Sequence, residues 1–286
     1  MINKKYLITN GCSFTEGHLL GNDCAWPKFL GEELDLEVIN LGKGGTGNEV
    51  ITQNTINYSV LNPNIAKDSL FVIQLSECLR YLVNWDGVHK SMYWHLTPQQ
   101  FIRTNGFDNW DLDFPINKAI YDSRNHLGQF YTNITFSLIK TYWNIINFVN
   151  FCEGNDYPYL IFDGINNHIP LQENEKLKFG VHIKKWFLAG PSDQKFEIVV
   201  KKTDNIKKFI KDVQSPILLY DLIEYIKDLK YYHNSPTLHS FITTDRDDGL
   251  NSEYHEGNQG HPNELGAKMW AKHLVKVLQE KFDEVE

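Results

Sequence analysis

Residues 5–17 read Lys5-Tyr6-Leu7-Ile8-Thr9-Asn10-Gly11-Cys12-Ser13-Phe14-Thr15-Glu16-Gly17. The apolar and β-branched run from about Lys5 to Asn10 predicts a short strand. Gly11 lets the chain turn sharply after it, and Gly17 allows close packing a few residues on. Ser13 then falls on a strand-to-helix turn, where backbone N–H groups without intrahelical partners face an incoming oxyanion. A serine so placed is a candidate nucleophile. Standing alone, G-x-S-x-x-x-G is also what an ordinary turn looks like.

Working outward, strands and helices alternate. Trp26, Phe29, Leu30 and Leu34 recur at helical spacing, with Pro27 suited to a first turn. Glu37-Val38-Ile39-Asn40 predicts a second strand, which runs into the loop Gly42-Lys43-Gly44-Gly45-Thr46-Gly47. Asn48 to Tyr58 predicts a helix. Ser69-Leu70-Phe71-Val72-Ile73-Gln74-Leu75 predicts a third strand, apolar enough to be buried on both faces. From Cys78 to about Gly128 the pattern weakens, which predicts an elaborated crossover with short helices. A long helix is expected over Phe130 to Phe151 and a fourth strand over Tyr157 to Phe162. Residues 165–215 read as an insertion, with Ile206, Phe209, Ile210 and Val213 marking an amphipathic helix. Ile217-Leu218-Leu219-Tyr220-Asp221 predicts a fifth strand. Leu265, Met269, Leu274, Val275 and Leu278 mark the last helix. The alternation predicts an α/β three-layer sandwich with a central parallel sheet of about five strands. One domain over 1–286 is expected, with insertions at about 78–128 and 165–215.

Composition narrows the function classes. The chain has 286 residues, 42% of them hydrophobic, so a full core is expected rather than disorder. A formal net charge of -8 argues against nucleic-acid binding through bulk charge. The start, Met1-Ile2-Asn3-Lys4-Lys5, runs straight into a strand without a basic-then-apolar leader, and no apolar run is long enough to cross a bilayer. The four cysteines, Cys12, Cys24, Cys78 and Cys152, form no C-x-x-C pair and suit neither zinc nor a disulfide framework. A cytoplasmic protein with free thiols is the expectation.

In parallel α/β sheets, ligands bind at the carboxyl ends of the strands. Ser13, the 42–47 loop and Ser76 each follow a predicted strand and so belong to one rim. The Gly44-Gly45 pair leaves a backbone N–H exposed with no side chain in the way. Near the other end, His261-Pro262-Asn263 opens an amphipathic helix, and His261 is the candidate base for Ser13. The plainer reading of His261 is a helix-capping role beside Asn263. Cys12 is an alternative nucleophile by position. Arg80, just past the third strand, reads as an anion contact or a surface ion pair. Lysines from Lys176 to Lys211 read as a solvated face or a polyanion site. Tyr93, Trp94, Trp110 and Phe114 read as core or as a sugar or acyl site.

Together these pieces resemble the SGNH (GDSL-like) hydrolase family. Gly11-Cys12-Ser13-Phe14-Thr15-Glu16-Gly17 is similar to its first motif. Asn40-Leu41-Gly42-Lys43-Gly44-Gly45-Thr46 is similar to its second, and His261-Pro262-Asn263 followed by Gly266 to its last. Cys12 to Gly17 with Trp26-Pro27 downstream resembles a branch common among phage and bacterial proteins of unassigned substrate. The resemblance implies hydrolysis of a carboxylic ester, such as an acetyl or short acyl ester on a small molecule or glycan. It implies Ser13 as nucleophile, His261 as base and Gly45 as oxyanion donor. No metal or organic cofactor is implied. Asn48 and Arg80 are the expected substrate contacts.

Three departures accompany the resemblance. Cys12 stands where the family usually has Asp before the serine. Gln74-Leu75-Ser76-Glu77 replaces a G-x-N-D pattern, so Ser76 takes the place of the oxyanion asparagine. Asn258 takes the place of the triad aspartate, three residues before His261. Asp245, Asp247, Asp248, Glu253 and Glu256 are near enough in sequence to substitute, and a Ser–His dyad is the other option. These changes favour one rival, a non-catalytic binding or virion structural module; an acyltransferase using the same residues is another alternative.

Overall fold

The computed structural model describes residues 4–18, 20–78, 80–85, 88–93, 134–165, 216–233, 236–243, 255–256 and 261–283. Five parallel strands form the sheet: β1 (Tyr6–Asn10), β2 (Glu37–Asn40), β3 (Ser69–Leu75), β6 (Tyr159–Asp163) and β7 (Tyr232–His233). Their spatial order is β2-β1-β3-β6-β7. The helices are α1 (Ser13–Glu16), α2 (Trp26–Leu34), α3 (Asn48–Leu61), α4 (Pro63–Lys67), α5 (Ile134–Glu153), α6 (Pro216–Lys227), α7 (Leu238–Thr243) and α8 (Glu264–Asp283).

Side chains alternate across the sheet, as period two requires. Ile8, Phe71, Ile73 and Ile161 face one layer, where they pack with Ile51 of α3, Tyr142 and Phe148 of α5 and Ile226 of α6. Leu7, Leu70, Val72, Leu160 and Phe162 face the other, with Trp26 and Leu30 of α2 and Trp270 and Leu274 of α8. Both layers are fully buried at these positions. Each such side chain contributes roughly 1.5–3 kcal/mol. This is the three-layer α/β architecture expected from the alternation.

The topology places the site. The chain leaves β1 to one side, through α2 on one face, to reach β2. It returns through α3 on the other face, past β1, to β3. Connections on opposite faces open a crevice at the carboxyl end of β1, where such sheets take their ligands.

Two expectations are corrected. Ile217–Asp221 is not a strand: it lies in α6, whose Leu222, Ile223 and Ile226 are buried at helical spacing. The fifth strand is the two-residue β7, further along. Within the stretch expected to hold short helices, β4 (Arg80–Trp85) and β5 (Val88–Tyr93) pair antiparallel, with Trp85 opposite Val88. They flank Asp86-Gly87, a two-residue hairpin signal in the sequence. A further pair, β8 (His255–Glu256) and β9 (His261–Pro262), precedes α8. The predicted helix at 206–213, the lysine cluster, Trp94, Trp110, Phe114 and most of both insertions lie outside the described residues. No helix among the described residues is long and apolar enough to cross a membrane.

Candidate active site

Polar residues at the strand ends shape the turn that carries Ser13. Asn10, the last residue of β1, accepts from Gly11 N–H at 2.8 Å and donates to the Ile51 carbonyl and Thr55 Oγ1 of α3. Asn40, the last residue of β2, donates to the Thr15 carbonyl at 2.7 Å and accepts from Gly42 N–H at 2.9 Å. The Cys12 carbonyl accepts from the N–H groups of Thr15 and Glu16, which starts α1, and Gly17 at φ 76 ends it. Beneath the turn, Thr15 Oγ1 donates to Gln74 Oε1 at 2.5 Å, and Gln74 Nε2 donates to Cys12 Sγ at 3.1 Å. Cys12, Thr15 and Gln74 are fully buried, and Ser13 stands above them half-buried. The Cys12 thiol therefore faces the core, which deprives it of access to a substrate. Cys78 is buried too, and burial holds its thiol protonated far above the ordinary range.

His261 arrives from 248 residues away. Its Nε2 lies 2.8 Å from Ser13 Oγ, within hydrogen-bond reach for proton transfer. The Phe14 ring meets the imidazole edge-on at a centroid distance of 4.9 Å, and the His18 ring lies 5.0 Å away on another side. Asn263 takes the capping role: its Oδ1 accepts from Gly266 N–H at 2.9 Å at the start of α8. That leaves His261, two residues earlier in β9, aimed at Ser13. Phe14, Gly17, Leu20, Ala25, Pro262 and Ala267 surround the pair.

The glycine loop lies against the same serine. A Cβ built on Gly44 would stand 3.8 Å from Ser13 Cβ. Gly45 adopts φ 78, a left-handed conformation that favours glycine, with open space where its side chain would be. Among the described residues, nothing accepts a hydrogen bond from the Gly45 or the Ser13 N–H. An N–H so left is available to an oxyanion.

Ser76 directly follows β3, the strand paired with β1, and the turn after β1 carries Ser13. Ser76 is fully buried, and its Oγ has no partner among the described residues. Asn48 brackets its backbone: Asn48 Oδ1 accepts from Ser76 N–H at 2.7 Å, while Nδ2 donates to the Ser76 carbonyl at 3.1 Å and to Thr141 Oγ1 at 3.3 Å. Asn48 was expected at the substrate. Its buried amide is instead engaged in joining α3, the end of β3 and α5.

Arg80 is 9% exposed, so it is neither a surface ion pair nor open to solvent. Its Nε donates to Glu77 Oε2 and its Nη1 to the Thr46 carbonyl, both at 3.3 Å. Asn258 and the candidate acids Asp245, Asp247, Asp248 and Glu253 lie outside the described residues. Glu256 lies in β8, where the backbone register sets it opposite His261. Among the described residues no cluster of three or more His, Cys, Asp or Glu side chains could hold a metal.

Sequence reasoning missed Asn10, Asn40, Gln74 and Glu77 as members of this rim. A signal was present: each is a polar residue at the carboxyl end of a strand or just past it, where an apolar run should otherwise continue.

No protein-family model and no curated protein matches the chain. Among solved structures it is similar to TesA, with 10% identity over 97% of this chain and 99% of that one, at a TM-score of 0.47. It is also similar to a member of the lipolytic protein G-D-S-L family from Veillonella parvula, with 11% identity over 96% and 98% of the two chains and a TM-score of 0.44. A third is the psychrotrophic esterase EstA from Pseudoalteromonas sp., with 10% identity over 98% and 99% and a TM-score of 0.44.

Proposed function

We propose that this chain is a serine ester hydrolase. The observation that carries the reading is the 2.8 Å contact between His261 Nε2 and Ser13 Oγ, beside a glycine loop with an available N–H. Ser13 Oγ attacks the ester carbonyl carbon while His261 Nε2 takes its proton. The carbonyl oxygen becomes an oxyanion, held by the Ser13 and Gly45 N–H groups. His261 returns the proton to the leaving alcohol, and the C–O bond breaks to give an acyl-enzyme. Water, deprotonated by His261, then releases the acid and restores Ser13. Ser76, at the place of an expected third donor, is a candidate to supply its hydroxyl once a substrate enters.

The ester is proposed to carry an acetyl or short acyl group, as the sequence resemblance implies. A glycan or a small alcohol can carry such an ester. The acid partner of His261 is proposed as Glu256, because the β8–β9 register sets these two residues opposite each other.

The test is a fluorophosphonate adduct mapped by peptide mass spectrometry, with turnover of p-nitrophenyl acetate. The expected adduct is on Ser13. Ser13→Ala should remove adduct and turnover together while leaving the melting temperature within a few degrees. Absence of both from the parent protein, across acetyl, butyryl and glycan esters, would favour a binding module instead.

A further inference from the structure

The 42–47 loop has four glycines in six residues, a composition that does not hold one conformation by itself. Yet an oxyanion donor works only if it is already in place when charge develops. The structure pins this loop on both sides of Gly45. Before it, Gly44 N–H donates to Glu16 Oε2 at 2.7 Å, and Lys43 Nζ pairs with the same carboxylate at 3.2 Å. That pin is solvent-exposed. After it, the Thr46 carbonyl accepts from Arg80 Nη1, and Thr46 Oγ1 donates to the Lys43 and Gly11 carbonyls. This second pin is buried: the Arg80 and Glu77 side chains are 6% and 3% exposed. Gly47 completes it, since a Cβ there would stand 2.6 Å from the Arg80 carbonyl oxygen. Only a glycine lets the loop lie that close.

We propose that Arg80 is a positioning residue for the oxyanion donor: paired with buried Glu77, it clamps the Thr46 carbonyl and so holds the Gly45 N–H beside Ser13. The assignment rests on the hydrolase reading and deepens it. It gives Arg80 a different place from a substrate contact. Glu77 keeps the guanidinium aimed, and Thr46 is the point where that constraint reaches the loop. Nε and Nη1 reach two separate acceptors at once, which needs the planar fork that an ammonium lacks. The buried clamp should matter more than the exposed pin at Glu16, where water can replace a lost partner.

The experiment compares Arg80→Gln, Arg80→Lys, Glu16→Gln and the double variant Glu77→Gln/Arg80→Gln. Two readouts are taken: kcat and KM on p-nitrophenyl acetate, and amide hydrogen exchange of residues 42–47 by mass spectrometry. Arg80→Gln and Arg80→Lys should each lower kcat about tenfold or more with KM within twofold, and raise exchange in 42–47 but not in α3. Glu16→Gln should lower kcat less than threefold. Removing the Arg80 charge alone leaves a buried carboxylate uncompensated, so Arg80→Gln should lower the melting temperature. The double variant removes both charges and should recover that stability without recovering kcat. A rise in KM at constant kcat would return Arg80 to the substrate and overturn the clamp. Unchanged exchange in Arg80→Gln would overturn it whatever the activity of the parent. A parent with no turnover sinks the hydrolase reading, and with it the catalytic purpose of the clamp, while exchange still reports on the clamp itself.

Discussion

The two halves of the proposed catalytic pair are held in different ways. Ser13 sits on a turn whose neighbours are tied down by buried or half-buried side chains: Asn10 to α3, Asn40 to Thr15, Gln74 to Cys12 and Thr15. All of these come from the first 75 residues of the chain. His261 sits on a two-residue strand just before α8, and packs on Phe14 and His18 of the other half. One half is preorganised by its own hydrogen bonds. The other is delivered by the docking of α8 on α2, which buries Trp270 and Leu274 against Leu30 and Trp26. A nucleophile needs its turn held locally, whereas a base can be placed by the packing of a distant helix.

Four predictions bear on that contrast. The largest effect belongs to the base. His261→Ala should lower kcat by about 10⁴-fold or more, and adding it to Ser13→Ala should cost nothing further, because the pair acts as a unit. Full additivity in the double variant would show that the two halves act separately.

Next is the acid. Glu256→Gln should lower kcat by about 10²-fold or more, while Asp247→Asn and Asp248→Asn stay within threefold. Replacing the acid of a serine protease triad by its amide costs about 10⁴-fold, which sets the upper end. A silent Glu256→Gln would point to a dyad.

The third prediction addresses the Ser13 half. Asn48→Ala leaves the Ser76 N–H buried without its partner, which should cost about 1–3 kcal/mol of stability, read from urea unfolding. The same substitution should leave KM within twofold, since its amide faces α5 and β3 rather than a substrate. A large rise in KM would restore Asn48 to the substrate.

The smallest effect concerns pH and the α8 half. His233 Nε2 meets His273 Nε2 at 3.2 Å, between β7 and α8. Burial first, then His273 and Lys281, lowers the His233 pKa from 6.5 to about 4. The unfolded chain therefore binds more protons than the folded one between those values. Stability is retained above pH 6.5 and is lost as pH falls toward 4. The melting temperature should drop over that window, and His233→Phe should flatten the slope without changing kcat at pH 8. An equal slope in the variant would assign the loss to other groups.

Much of the fold was legible because its signals are local. The strands at β1, β2 and β3 are short apolar runs bounded by turn residues, and α2 and α8 carry helical spacing with a proline or asparagine at the start. The run from Ile217 to Tyr220 misled because four apolar residues fit a buried strand and a buried helix equally well. Pro216 at the helix start, and Leu222, Ile223 and Ile226 beyond, were the signals for α6. A two-residue strand such as β7 has no periodicity to read: its pairing with β6 decides it.

The sequence by itself determined the turn at Ser13, the glycine loop and the histidine at the mouth of the last helix. Each of these is a short-range constraint, set by residues that neighbour one another in the chain. Only the tertiary structure decided that Cys12 faces the core, that Asn48 and Arg80 turn inward, and that His261 reaches Ser13. Those outcomes depend on which polar group finds a partner when water is excluded. A buried donor or acceptor without a partner costs more than most single contacts return. The partners here lie 28, 34 and 248 residues away, and no local pattern in the sequence records them.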